Sequence, residues 1–286
     1  MKIAILGVEN SHADAFGELI KSNPEEYGDI EIVGIYSDEE DAVKRITDKG
    51  YATYAASSPD EFLGKVDGVV VTARHGDNHY KYAMPYVKAG VPCFIDKPFC
   101  ANVENAKELA RVAAENGALL CGGSCLKFID EIKPLARMAK TKKVKSGTVA
   151  CPVNMNNIYG GFWFYSQHLI EILLTIYGKN VKSVTAFCPD NTKNRITVIF
   201  NFGEFDVCGF YTDSYRYTAS LMTADNNIYQ AYCDDVVYTF KNEFDEFVQM
   251  VKSGVMPCDY DDLVYPVKLL DAIERSYTQK KEIFIE

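Results

Sequence analysis

The chain has 286 residues, 48% hydrophobic and 24% charged, with 30 Lys and Arg against 40 Asp and Glu for a formal net charge of -10. That balance belongs to a globular chain with room for one large domain or two ordinary ones. An acidic chain without a basic block argues against a nucleic-acid partner, and no apolar run reaches the ~20 residues that span a bilayer.

Met1-Lys2 runs directly into an apolar stretch without a small-residue cleavage site, so no secretory leader is expected. Nine scattered cysteines read as reduced, mostly buried thiols. A cytoplasmic protein without a membrane partner is the expectation.

The elements alternate from the start. Lys2–Leu6 reads as a buried strand and Ser11–Ser22 as a helix with Ser11 at its N-cap. Ile30–Tyr36 is a second strand, and Asp38–Gly50 a helix with acids in its first turn and glycine at its end. Ser58 and Pro59 predict a short helix over Ser57–Gly64. Asp67–Ala73 has consecutive valines, the mark of a strand buried on both faces. A helix over Asn78–Gly90 containing Pro85, a strand Val91–Asp96, a helix Asn102–Gly117 and a strand Ala118–Gly123 follow. Such alternation predicts a Rossmann-type, doubly wound parallel sheet.

After about residue 123 the pattern changes. A helix near Asp130–Lys140 leads to a strand Ser146–Val153 and a helix Gly160–Gly178. Six β-rich runs come next: VKSVTAFC, RITVIFNFG, EFDVCGFY, TASLMTAD, NIYQAYC and DVVYTF. Their alternation predicts a mostly antiparallel open sheet with one covered face. Helices near Lys241–Lys252 and Asp261–Gln279 close the chain. The expected fold class is therefore α/β: residues 1–122 as the dinucleotide-type domain, then 123–286 as an α+β domain for substrate and oligomerisation. The final helix has the option of packing back on the first domain.

Chemistry concentrates at strand ends. Thr72 lies at the carboxyl end of one predicted strand and Asp96-Lys97-Pro98 at the end of the next, where ligands of open α/β sheets sit. Lys97 is either a ligand-facing cation or a surface lysine in a βα turn. His75 and His79 share a helical spacing, but no HExxH glutamate stands between them, and no metal is expected.

The spacing Thr72 to His79, then Ala89-Gly90, then Asp96-Lys97-Pro98 resembles the glucose–fructose oxidoreductase / inositol dehydrogenase family, Gfo/Idh/MocA. The likeness continues through SCLKFIDEIKPLARMAK and GGFWFYSQHLIEILLTIYG to LVYPVKLLDAIERSYTQKKEI, nearly the whole chain. Family members usually carry Glu where this chain has Asp96. The resemblance implies a domain that binds NAD or NADP and a second one that holds a small polar substrate, often a sugar or polyol. It implies an open sheet face as the subunit contact of a homodimer or homotetramer. By the same resemblance Lys97 orients substrate and nicotinamide ribose, while His168 takes or gives the hydroxyl proton. Removing hydride from a carbinol carbon leaves a proton that a near-neutral base must accept, and a neighbouring ammonium stabilises the developing alkoxide.

Several positions depart from that pattern. Gly7 keeps the tight turn of the dinucleotide fingerprint, but Glu9 and His12 replace its second and third glycines. Glu9, Asn10, Ser11, His12 and the helix N-terminus remain as cofactor-binding candidates, with Ser11, His12 and the helix end expected to contact phosphate. Ser37 stands where the ribose-binding acid is expected and Asp38 follows it; with no adjacent arginine the lean is to NAD, although Arg74 or Lys44 is within sequence reach of a 2′-phosphate. Thr72, Arg74, His79 and Asp96 complete the cofactor set. Phe164 replaces the aspartate usual four residues before the histidine. Tyr165 is the nearest polar candidate, expected off the His168 stripe. His168 itself reads either as a catalytic group or as a core histidine bonded to backbone. Phe162 to Tyr165 read as a substrate wall containing Trp163 and Tyr165, or as core. A non-redox enzyme on the same scaffold and a non-catalytic ligand-binding protein are the alternatives to a dehydrogenase.

Overall fold

The computed structural model describes residues 1–286. The first half runs β1 (Lys2–Leu6), α1 (Ser11–Ser22), α2 (Pro24–Tyr27), β2 (Glu31–Tyr36), α3 (Glu40–Asp48), β3 (Gly68–Val71), α4 (Gly76–Lys88), β4 (Cys93–Asp96), α5 (Val103–Asn116) and β5 (Leu120–Gly123). The remainder runs α6 (Lys133–Thr141), β6 (Val144–Pro152), α7 (Phe162–Tyr177), β7 (Ser183–Phe187), β8 (Ile196–Asn201), β9 (Asp206–Thr212), β10 (Tyr217–Thr223), β11 (Ile228–Cys233), α8 (Thr239–Ser253), α9 (Tyr260–Gln279) and β12 (Ile283–Phe284). No helix is long and apolar enough to cross a membrane. Two compact units result: Met1–Gly123 with Phe240–Val264, and Ser124–Thr239 with Tyr265–Glu286.

The first unit holds a parallel sheet in the order β2-β1-β3-β4-β5. Strands β3, β4 and β5 are buried at every position, so their apolar residues run consecutively. Chain order reverses between β1 and β3, the position outside which open α/β sheets bind their ligands. Helix α8 seals this core: Phe244, Phe247 and Met250 join Phe16, Phe94 and Ile5. The rings of Phe16 and Phe244 stack at 5.0 Å.

The second unit holds a seven-stranded sheet, β11-β10-β6-β9-β8-β7-β12, antiparallel except for the pair β6 and β9. Buried positions alternate along β8. Gly209 lets α7 close on the covered face, because a Cβ there would lie 2.8 Å from the Phe200 ring and 3.3 Å from Leu169. Register shows which residues share the other face. Phe187, Thr197, Phe210, Ala150, Thr218 and Tyr232 lie opposite one another across six strands. Phe187 and Tyr232 are exposed, at 56% and 55%.

Two expected elements are absent. Ser57–Gly64 forms turns, because the Glu61 carboxylate accepts the Ser57 N–H and hydroxyl and closes the segment on itself. DVVYTF forms no strand: Thr239 donates N–H and hydroxyl to Val236 O, and α8 starts there.

Candidate functional site

The β1–α1 loop begins at Gly7, where φ is +80° and a Cβ would lie 2.4 Å from Ala73 Cα. Only glycine fits both the conformation and the contact. Gly7 N donates to Tyr36 O at 2.7 Å, and the buried Thr72 hydroxyl donates to Gly7 O at 3.0 Å. Thr72, expected on the cofactor, thus locks the loop.

Glu9 is 5% exposed and bent aside. Its Oε2 accepts the Ser37 hydroxyl at 2.7 Å and its Oε1 the Arg74 backbone N–H at 3.0 Å. Three expected positions, from the ends of β1, β2 and β3, therefore meet at one carboxylate. Asp38 accepts hydroxyls from Tyr36 and Tyr82. These donors, Tyr36 first, hold its carboxyl below the ordinary aspartate range.

Asn10, not Ser11, caps α1. Its Oδ1 accepts Ser11 N at 2.8 Å, and its Nδ2 donates to Asp96 Oδ2 at 2.8 Å. The longer Asn side chain spans both partners, leaving Ser11 exposed at the helix start. His12 does not face a phosphate. It is buried, with Nδ1 3.2 Å from Asp96 Oδ2 and Nε2 3.0 Å from Glu243 Oε1, both misaligned for a hydrogen bond. Burial pushes its pKa down to about 4, against the opposing pull of Asp96. Burial likewise raises the pKa of Asp96.

His79 lies between two backbone carbonyls, with Nδ1 2.6 Å from Pro98 O and Nε2 2.6 Å from Ala73 O. Only a charged ring would donate to both. Complete burial opposes that charge and pushes the pKa to about 4, so at neutral pH the ring donates to one. His79, expected on the cofactor, ties the loops after β3 and β4 together. His75 caps α4, its Nδ1 accepting Asp77 N at 3.2 Å. Lys97 is 4% exposed, and its N–H donates to Asp96 Oδ1 at 2.7 Å.

In the second unit, His168 lies buried on α7 with Nδ1 2.6 Å from the Ser124 hydroxyl oxygen. Its ring centroid is 5.3 Å from that of Tyr165 and 6.2 Å from that of Tyr217. Tyr165 is thus on the His168 stripe after all, since residues three apart are neighbours on a helix. Burial raises the pKa of both phenols. Phe164 packs against Tyr159 and Tyr165. Trp163 donates its indole N–H to Glu274 at 3.0 Å, which fixes it to α9. The core reading of His168 as bonded to backbone fails at Nδ1, where the partner is a side chain.

Ser124 and Glu243 were not among the sequence candidates. Ser124 follows the glycine pair that ends β5, and that strand-end position was the available signal. Glu243 lies in an amphipathic helix and reads as a surface acid.

Residues 1–123 match the model of the family GFO_IDH_MocA, described as an oxidoreductase family with an NAD-binding Rossmann fold. No curated protein matches this chain. Among solved structures, GenD2 from gentamicin A biosynthesis, in complex with NAD, is similar with TM-score 0.86 and 16% identity, covering 100% of this chain and 96% of its own. Myo-inositol 2-dehydrogenase from Lactobacillus plantarum gives TM-score 0.85 at 13% identity, over 100% and 99% of the two chains. A myo-inositol dehydrogenase from Corynebacterium glutamicum gives 0.81 at 15%, over 100% and 99%. These likenesses establish the fold.

Proposed function

We propose that this protein is an NAD-dependent dehydrogenase or reductase of a small hydroxylated substrate, because residues 1–123 match the model of an oxidoreductase family with an NAD-binding Rossmann fold. The observation that carries the proposal is the fate of Glu9. Its carboxylate stands where a glycine would admit the diphosphate, yet Ser37 and the Arg74 N–H hold it aside. The Gly7 turn and the exposed start of α1 at Ser11 remain as a cradle for phosphate.

Gly7, Asn10 and Ser11 would hold the diphosphate side. Ser37 and Asp38 would face the adenosine ribose, and the negative charges of Glu9 and Asp38 disfavour a 2′-phosphate. Bound NAD supplies the hydride acceptor. Lys97, fixed through its own N–H to Asp96, orients the substrate and the nicotinamide ribose. His168 exchanges the substrate proton at Nε2, since Nδ1 is held by Ser124. Tyr165 and Trp163 wall the substrate side. A sugar or polyol suits these groups, in keeping with the inositol named for two structural relatives. The assembly is a homodimer or homotetramer through the open sheet face, and nine free cysteines suit a cytoplasmic setting.

Calorimetry with NAD, NADH, NADP and NADPH tests the reading. We expect NAD(H) to bind at least tenfold more tightly than NADP(H). Failure of all four to bind at millimolar concentration rules the proposal out. With a substrate in hand, His168→Gln is expected to lower kcat by about 10²–10⁴-fold, the usual contribution of a positioned acid or base.

A further inference from the structure

A cavity of about 590 Å³ opens in the second unit, bounded by β7, the turn after it, the start of β8 and the end of α9. Pockets that take small organic ligands run from roughly 300 to 1,000 Å³. Ala186, Phe187, Pro189 and Tyr277 give this one an apolar lining. Its only charged lining residues are Arg195 and Lys280, both positive and both exposed. That sign runs against the chain, which has 40 acids to 30 bases. It is also uncompensated. Lys193 and Arg275, close to them in sequence, pair with Asp190 and Asp271, whereas no carboxylate is within ion-pair reach of Arg195 or Lys280.

The turn that carries Lys280 is pinned to the sheet. Ser276 is completely buried; its hydroxyl oxygen accepts the Ala186 N–H at 2.9 Å and its proton goes to Lys281 O at 2.6 Å. Between these anchors Lys280 has φ +55°, a left-handed conformation that glycine or asparagine usually takes after a helix. The helix dipole favours a cation anywhere near the end of α9, so it does not account for one at the strained position. A lysine fixed there, across an apolar cavity from an arginine, does account for it if both charges serve an incoming anion.

We propose that this cavity is a binding site for a small carboxylate with an apolar body, an aryl acid being the simplest case. The ring would enter among Phe187, Pro189 and Tyr277. The carboxylate would stay at the mouth, where the Arg195 fork matches its two oxygens and Lys280 adds a second positive charge. None of these residues belongs to the set proposed for cofactor or substrate.

The test follows 4-(trifluoromethyl)benzoate by ¹⁹F NMR titration of the full chain at neutral pH, with 4-(trifluoromethyl)benzyl alcohol as its uncharged counterpart. We expect the benzoate to bind at least tenfold more tightly than the alcohol, since a hydrogen bond to a charged group carries about that factor. Arg195→Gln should weaken benzoate binding by roughly tenfold and leave the alcohol within about twofold. Lys280→Gly should weaken the benzoate in the same way, yet leave the urea midpoint unchanged or higher, because glycine suits the left-handed backbone. Equal affinity for benzoate and alcohol overturns the inference, as does a benzoate affinity unmoved by both substitutions. Absence of benzoate binding at millimolar concentration overturns it too, and a second copy of the chain filling the cavity would read this way. The native comparison decides even if a variant folds poorly. No nicotinamide enters the experiment, so the dehydrogenase reading stands or falls separately, on the cofactor titration.

Discussion

Two fingerprint glycines are replaced by ionisable side chains, and the fold disposes of each differently. Glu9 is turned onto donors at the strand ends, whereas His12 is drawn beneath the loop toward Asp96 and Glu243. Burying an imidazole this way has a consequence for stability. The folded pKa of His12 is about 4, below its ordinary 6.5. The folded ring is neutral while the unfolded one takes up a proton as pH falls through 6.5. Stability from this site is therefore complete above pH 6.5 and is lost between 6.5 and about 4. His79 has the same sign and window. Asp96, with its pKa raised by burial, works in the opposite direction above its ordinary 3.8. Each histidine contributes a slope of up to about 1.4 kcal/mol per pH unit. Urea unfolding at pH 7, 6 and 5 should show the decline, and His12→Gln should remove up to one proton's share of it. An unchanged slope in that variant would mean that His12 is charged in the folded protein.

Elements were legible wherever one local rule decided them. The consecutive valines of β3 announced a strand buried on both faces, and Asn102 and Gly117 bracketed α5, with Gly117 left-handed at φ +67°. Ser58-Pro59 gave a helix signal that one carboxylate, Glu61, overrode by closing a turn. DVVYTF has the composition of a strand, but only tertiary packing tells that α8 begins inside it. Partners were less legible than positions. Spacing and resemblance single out Lys97 and His168 as candidates, while Ser124 and Glu243 emerge only when distant segments meet. The apolar stripe of α8 has a measurable worth of its own. Phe244 is fully buried against Phe16 and Tyr27. Phe244→Ala should cost about 3–5 kcal/mol, transfer and cavity together. A loss below about 1 kcal/mol in denaturant unfolding would show that the first unit does not depend on this helix.

For the molecule as a whole, charge and surface act against each other. A net charge of -10 makes copies of the chain repel. The open sheet face works the other way, because register places Phe187, Phe210 and Tyr232 in one row with only small residues between them. On the proposed reading, this apolar row is the contact between copies of the chain. If apolar burial drives the association, added salt screens the repulsion while leaving the attraction intact. Self-association should then strengthen from low salt to about 0.5 M, the reverse of what an ion-paired interface would do. Native mass spectrometry and light scattering should find a dimer or tetramer for the native chain. Phe210→Lys, at a position 37% exposed, should shift the population to monomer while changing the unfolding free energy of the monomer fold by no more than about 0.5 kcal/mol, as expected of a surface change. A variant that stays fully associated would place the subunit contact elsewhere and leave this row of aromatics for another partner.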